Sequence, residues 1–171
     1  MANRKKVIGR EISVNFGEEI KNVPAKVDTG ADSSAVWASD IFVDPEHVLH
    51  FKLFGEGSPY YTGVEHTTRV FSVAVTKSSL GETALKYRVK LKICLAGKKI
   101  SATFGLSDRS THNYPVLIGR RTLSGRFIVD VSQTEDLVKQ KKNTPASLNE
   151  EMKQNPYKFY KETYLNEEEE K

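Results

Sequence analysis

Asp28 ends a strand-like run, Val23-Pro24-Ala25-Lys26-Val27, and is followed by Thr29, Gly30 and Ala31, with a second acid, Asp32, four positions on. Asp and Gly are ordinary turn residues, and a plain turn would account for them. A carboxyl fixed at a strand end beside a hydroxyl and a permissive glycine can also be half of a catalytic pair. In such a pair one carboxylate deprotonates water while a second carboxylic acid protonates a carbonyl oxygen. Other chemistries find less support. His47, His50, His66 and His112 lack metal-ligand spacing to Cys or acidic partners. The chain has no His-Glu-x-x-His zinc signature, no Gly-x-x-x-x-Gly-Lys-Ser/Thr phosphate loop and no Gly-x-Ser-x-Gly elbow. No metal and no cofactor are expected.

The elements that must hold Asp28 are strands. Period-two alternation predicts strands over Val7–Val14, Val23–Asp28, His47–Phe54, Arg69–Val75, Tyr87–Leu95, Lys99–Leu106, Pro115–Ile118 and Arg126–Val131. Gly17, Gly55-Glu56-Gly57-Ser58-Pro59, Ser78-Ser79-Leu80-Gly81 and Ala96-Gly97-Lys98-Lys99 punctuate them as turns. Short strands at this spacing predict an all-β barrel or sandwich. Before residue 132, only a turn near Ser33–Ser39 and the stretch Arg120–Ser124 offer themselves as helix. From Ser132 the composition becomes polar and ends in Glu167-Glu168-Glu169-Glu170. We therefore expect a domain over 1–131 and a partly helical or disordered tail over 132–171.

With 38% hydrophobic and 28% charged residues in 171, the chain reads as one globular domain plus that tail. No apolar run approaches the roughly 18–20 residues that span a bilayer, and the charged start Met1-Ala2-Asn3-Arg4-Lys5-Lys6 has no apolar core behind it. A lone cysteine, Cys94, permits no internal disulfide. The net charge of +4 is carried by scattered Lys and Arg, as in Val89-Lys90-Leu91-Lys92-Ile93, which describes the wet face of a strand better than a phosphate-tracking patch. The expectation is a cytoplasmic protein with no membrane or nucleic-acid partner.

Val27-Asp28-Thr29-Gly30-Ala31-Asp32, taken with Leu117-Ile118-Gly119-Arg120 about ninety residues later, resembles the retropepsin-like aspartic proteases. Their hallmark is an Asp-Thr-Gly-Ala loop followed later by two apolar residues, Gly and often Arg. Ala25–Ala31 together with Leu106-Ser107-Asp108-Arg109-Ser110 and Tyr114–Arg120 is similar to a bacterial group labelled "ATP-dependent zinc protease", with Trp37 standing where members often carry a histidine. The resemblance covers roughly Lys6 to Ser132. It implies a closed barrel-like acid-protease fold, with one short helix after Ile-Gly-Arg.

The implied activity is that of an aspartic endopeptidase, with Asp28, Thr29 and Gly30 catalytic. Two carboxyls about 3 Å apart cannot both ionise and share one proton. The chain has one Asp-Thr-Gly and no internal repeat, so the second carboxyl must come from a second copy, and a homodimer is expected. Gly30 permits a tight backbone. By the family's pattern Thr29 would hydrogen-bond across the dimer, Ala31 and Asp32 would line the cleft for an extended protein or peptide substrate, and an Asp32–Arg120 ion pair within each protomer, partly buried near the dimer interface, would join the two motifs, with Leu117, Ile118 and Gly119 as supports. A flap must close the cleft. The hairpin Phe71–Tyr87, with Ser79, Leu80 and Gly81 at its tip touching substrate, is favoured over Gly55–Gly63. The alternatives are a non-catalytic peptide-binding module, with Asp28 as a structural cap, and a regulator or partner of an ATP-grasp glutamate ligase.

Overall fold

A computed structural model of the chain describes residues 4–77, 83–139, 155 and 157–158. Its elements are mostly strands: β1 (Lys6–Ile8), β2 (Glu11–Phe16), β3 (Ile20–Asp28), β4 (Ser34–Val43), β5 (Leu49–Leu53), β6 (Glu65–Thr68), β7 (Ser72–Lys77), β8 (Thr83–Leu95), β9 (Lys98–Ser107), β10 (Val116–Gly119) and β11 (Phe127–Val129), with one short helix, α1 (Arg120–Leu123). The expected all-β fold forms, and among the described residues the short helix expected after Ile-Gly-Arg is present as α1.

Six strands close on themselves in the order β10, β3, β2, β8, β9, β4 and back to β10. β5 and β6 continue the sheet beyond β4, β7 pairs the distal part of β8, and β1 with β11 makes a separate parallel pair. Closure removes the free edges that an open sheet must protect. Alternation builds the core: Ile12, Val14 and Phe16 of β2 point inward while Glu11, Ser13 and Asn15 are only partly covered. Val23, Val36, Leu95, Phe104, Val116 and Ile118 are buried with them, and Phe16 packs edge-on to Phe54 at 5.9 Å between ring centroids.

Two expectations are corrected. The strand predicted over Val7–Val14 is two strands, divided at Gly9-Arg10. Ile8 accepts a hydrogen bond from Asp130 N (2.9 Å), whereas Arg10 donates to Gln133 O (3.0 Å) and accepts from Val27 N (2.9 Å). The chain thus leaves the terminal pair and enters the barrel within two residues. A Cβ at Gly9 would lie 2.4 Å from Gln133 O, so only glycine fits this crossing. The turn suggested near Ser33–Ser39 is strand β4. Ala35 and Val36 pair with β10 on one side and β9 on the other, and that two-sided pairing overrides the helix-compatible Ala-Val-Trp-Ala composition. The polar strand β6, Glu65–Thr68, carries no apolar alternation to predict it and exists through pairing with β5.

Beyond β11 the chain lies along β2. Ser13 N donates to Glu135 (2.9 Å) and Thr134 to Glu11 (2.8 Å). Glu11 also accepts from the Tyr114 hydroxyl, the main cause of its lowered pKa.

Candidate active site

The two sequence motifs meet in register. β10 runs parallel to β3, with Val116 opposite Ala25, Leu117 opposite Lys26, Ile118 opposite Val27 and Gly119 opposite Asp28. The same strand runs antiparallel to β4, with Leu117 opposite Ala35 and Val116 opposite Val36. β10 therefore threads between the strand that enters the Asp28 loop and the strand that leaves it. A loop of five residues is held by its two stems and by a wedge between them.

Within the loop, Asp28 Oδ1 accepts hydrogen bonds from Gly30 N (3.0 Å) and Ala31 N (3.1 Å), and Asp28 O receives a longer one from Ala31 N (3.3 Å). The carboxyl is half-buried, while Thr29 and Gly30 beside it are exposed. The outer side of the loop is fixed by α1: Arg120 N donates to Ala31 O (2.8 Å) and Arg121 N to Asp32 O (3.2 Å). Gly119 makes this approach possible. A Cβ there would lie 2.5 Å from Ser33 C and O and 2.9 Å from Ala31 O, all backbone atoms.

Beneath the loop lies a polar knot that sequence reasoning missed. Ser34 Oγ accepts from Gly119 N (3.0 Å) and shares a 2.7 Å hydrogen bond with Thr122 Oγ1, both side chains being buried. The signal was present, as a serine opening an apolar strand and a threonine two positions after Arg120. Neither residue announces that it faces the other across 88 positions.

Asp32 pairs with Arg120 (3.4 Å) and, more closely, with Arg121 (2.8 Å), a residue the sequence analysis passed over. The expected Asp32–Arg120 pair thus forms within the protomer, where the two side chains are 47% and 59% exposed. Trp37 is a buried core residue of β4, with its ring against Gly55. Ser79, Leu80 and Gly81, expected at the tip of a flap, lie outside the described residues. The hairpin that carries them is described on both sides, with Val73, Val75 and Leu85 half or more exposed. The Gly55–Gly63 stretch packs down instead, through Ser58 and through Tyr60 against Phe54 (5.7 Å). Among the described residues no group of three or more His, Cys, Asp or Glu could hold a metal ion, and no helix is long and apolar enough to cross a membrane.

Over residues 7–141 the chain matches the model of one family, described as RimB-like, retropepsin-like aspartic endopeptidase RimB. The chain belongs to the RimB-like family. Among curated relatives it is 28% identical over 130 residues to a probable alpha-L-glutamate ligase of Desulfotalea psychrophila, covering 74% of this chain and 28% of that protein. A probable alpha-L-glutamate ligase of Shewanella pealeana is 27% identical over 138 residues, 78% of this chain and 30% of the relative. The chain thus spans under a third of the length of these relatives. Among solved structures, the Legionella pneumophila protein Lpg0085, described as of unknown function, superposes with a TM-score of 0.55 at 19% identity, over 78% of this chain and 98% of its own, a likeness of fold.

Proposed function

We propose that this RimB-like protein is an aspartic endopeptidase that works as a homodimer, with Asp28 of each copy contributing one carboxyl to a shared site. The observation that carries the reading is the anchoring of Asp28: one carboxyl oxygen is tied to two amides of its own loop, and the loop is wedged by β10. A carboxyl held this way keeps its geometry when the proton is lost or gained, which preorganised acid–base catalysis requires. In the reaction the ionised carboxyl takes a proton from water, and the water oxygen attacks the peptide carbonyl carbon. The protonated partner gives its proton to the carbonyl oxygen. Collapse of the resulting gem-diol breaks the C–N bond as the amide nitrogen takes up a proton, releasing an acid and an amine.

The second copy is required by stoichiometry, since one chain carries one Asp-Thr-Gly. The terminal pair β1–β11 supports it. Val7 and Ile128, opposite each other in register, are each 53% exposed, an apolar surface on a two-stranded sheet that continues into neither neighbour. On this reading the exposed β7–β8 hairpin, with its outward valines and Leu85, closes over the peptide as the flap, and Ala31 and Asp32 line the cleft.

Replacement of Asp28 by Asn tests the proposal. The amide can neither deprotonate water nor share the dyad proton, so peptide-library turnover should vanish while fold and dimerisation persist. Turnover at the wild-type rate would refute catalysis by Asp28, and chelator-sensitive activity would point to a metal. The names of the curated relatives favour one further reading. A domain similar to this chain occurs within longer proteins named as glutamate ligases, so this protein acts beside such a ligase, as its regulator or on its products. Peptide binding without hydrolysis by the wild-type protein would turn the first reading into a binding module.

A further inference from the structure

Next to the Asp28 loop, between β8, β9 and α1, lies a pocket of about 390 Å³ lined by Ser33, Ser72, Arg88, Thr103, Arg121 and Arg126, among others. Its charge is one-sided. Three arginines and five hydroxyl residues line it, and the carboxylate near them, Asp32, is engaged by Arg121 at 2.8 Å. Arg126 is turned with one Nη toward the carbonyls of Arg121, Thr122 and Ser124. Arg88 is different: its Nε is buried and has no hydrogen-bond partner. A buried guanidinium donor left unmade is costly, and native structures fill such a position with an acceptor. The surrounding field has the same sign. Lys86, two residues along β8, has its pKa lowered by burial and by the charges of Arg109 and Arg88. Crowded cations repel one another, and a bound anion relieves that repulsion.

We propose that this pocket is an oxyanion-binding subsite, with Arg88 as its central donor and Arg121 at its rim. A planar guanidinium presents two parallel donors to a carboxylate or phosphate, and Ser33, Ser72 and Thr103 supply further hydroxyls. The site adjoins the loop through Ser33 and through the Arg121–Asp32 pair. Its oxyanion therefore comes either from a side-chain carboxylate of a peptide in the cleft or from free phosphate. Only the first source rests on the endopeptidase reading, and binding is measurable without turnover.

The experiment is calorimetric titration of inorganic phosphate into the full chain at constant ionic strength, with chloride as control. The wild-type protein should bind phosphate above the chloride control. Arg88→Met keeps the packing stem and should weaken binding about tenfold or more, the usual effect of removing a charged hydrogen-bond partner. Arg88→Lys, a point charge without the fork, should recover only part of it. Arg121→Gln at the exposed rim should weaken it too, and serves if Arg88→Met fails to fold. A pair of peptides differing by one Glu→Gln change separates the sources. Displacement of phosphate by the Glu peptide alone assigns the site to substrate carboxylates, and phosphate binding with displacement by neither assigns it to a free anion. Equal phosphate affinity in wild type, Arg88→Met and Arg121→Gln overturns the site, as does wild-type protein that binds phosphate no better than chloride.

Discussion

Gly119→Ala is the most direct probe of the contact between the two motifs. Gly119 has φ −87° and ψ 169°, extended backbone that alanine adopts freely. Dihedral strain therefore plays no part, and on unfolded-state entropy alone the change would stabilise by about 0.4–1 kcal/mol. The added methyl, however, would lie 2.5 Å from Ser33 C and O and 2.9 Å from Ala31 O, where ordinary contact begins near 3.4 Å. Those atoms are backbone on both sides and cannot swing away as a side-chain tip would. Relief means moving the loop off α1, which stretches Arg120 N to Ala31 O and Arg121 N to Asp32 O. Overpacking of about 1–3 kcal/mol, with two hydrogen bonds worth about 1 kcal/mol each, gives a net loss of roughly 3 kcal/mol. For a domain of this size that lowers the melting temperature by roughly 10 °C. Urea unfolding with an unchanged slope would report it as a shifted midpoint. A Gly119→Ala protein as stable as wild type, or more so, would refute the close approach of β10 to the Asp28 loop.

Ser34→Ala should cost about 1–3 kcal/mol, because it leaves Thr122 Oγ1 buried without a partner and deprives Gly119 N of its 3.0 Å acceptor; a double-mutant cycle with Thr122→Val should show coupling, and additive losses would break the knot. His50, bound to Asp44 at 3.0 Å and beside Glu65 at 3.3 Å, has its pKa raised above 6.5, chiefly by the Asp44 hydrogen bond. Its contribution is therefore complete below pH 6.5 and lost as pH rises through the raised value, so chemical denaturation should show stability falling above neutrality in wild type and flat in His50→Gln. Replacing Arg120 and Arg121 together by Ala should cost the isolated protomer less than about 1 kcal/mol, as exposed pairs do. On the homodimer reading it should weaken self-association measurably in sedimentation, and an unchanged dissociation constant would exclude Asp32 from that interface.

Much of the barrel was legible, because β2, β8 and β9 alternate apolar and polar residues over lengths that only a strand with one covered face explains. Asp28-Thr29-Gly30 and Ile118-Gly119-Arg120 were legible as a pair for a different reason: together they resemble the two motifs of the retropepsin-like proteases, whereas the close contact that demands Gly119 shows only in the fold. Three things were not legible. The break at Gly9-Arg10 depends on Gln133, far along the chain, and Gly9 is its one local mark within Val7–Val14. β4 hides its type because both of its faces are covered over Ser34–Ala38, so that buried run loses the period of two. The Ser34–Thr122 bond joins residues that are individually unremarkable polar positions, and only the threading of β10 between β3 and β4 brings them together.

The geometry also separates what fixes the loop from what decorates it. The ties that hold Ala31, Asp32 and Ser33 in place are backbone amides of Arg120 and Arg121, the missing side chain of Gly119 and the buried Ser34 hydroxyl. None of these depends on the guanidinium groups, which are exposed and share one carboxylate. The arginine of the Ile-Gly-Arg element is thus not what locks the protomer, although the sequence pattern invites that reading. Its amide would serve as well from most residue types, while its charge is free to act on whatever covers the loop. Strictness at positions 34 and 119 follows from packing. On the homodimer and oxyanion readings, strictness at 120 and 121 comes from outside the single chain, from a second copy or a bound oxyanion, because exposed ion pairs in water contribute too little to enforce it.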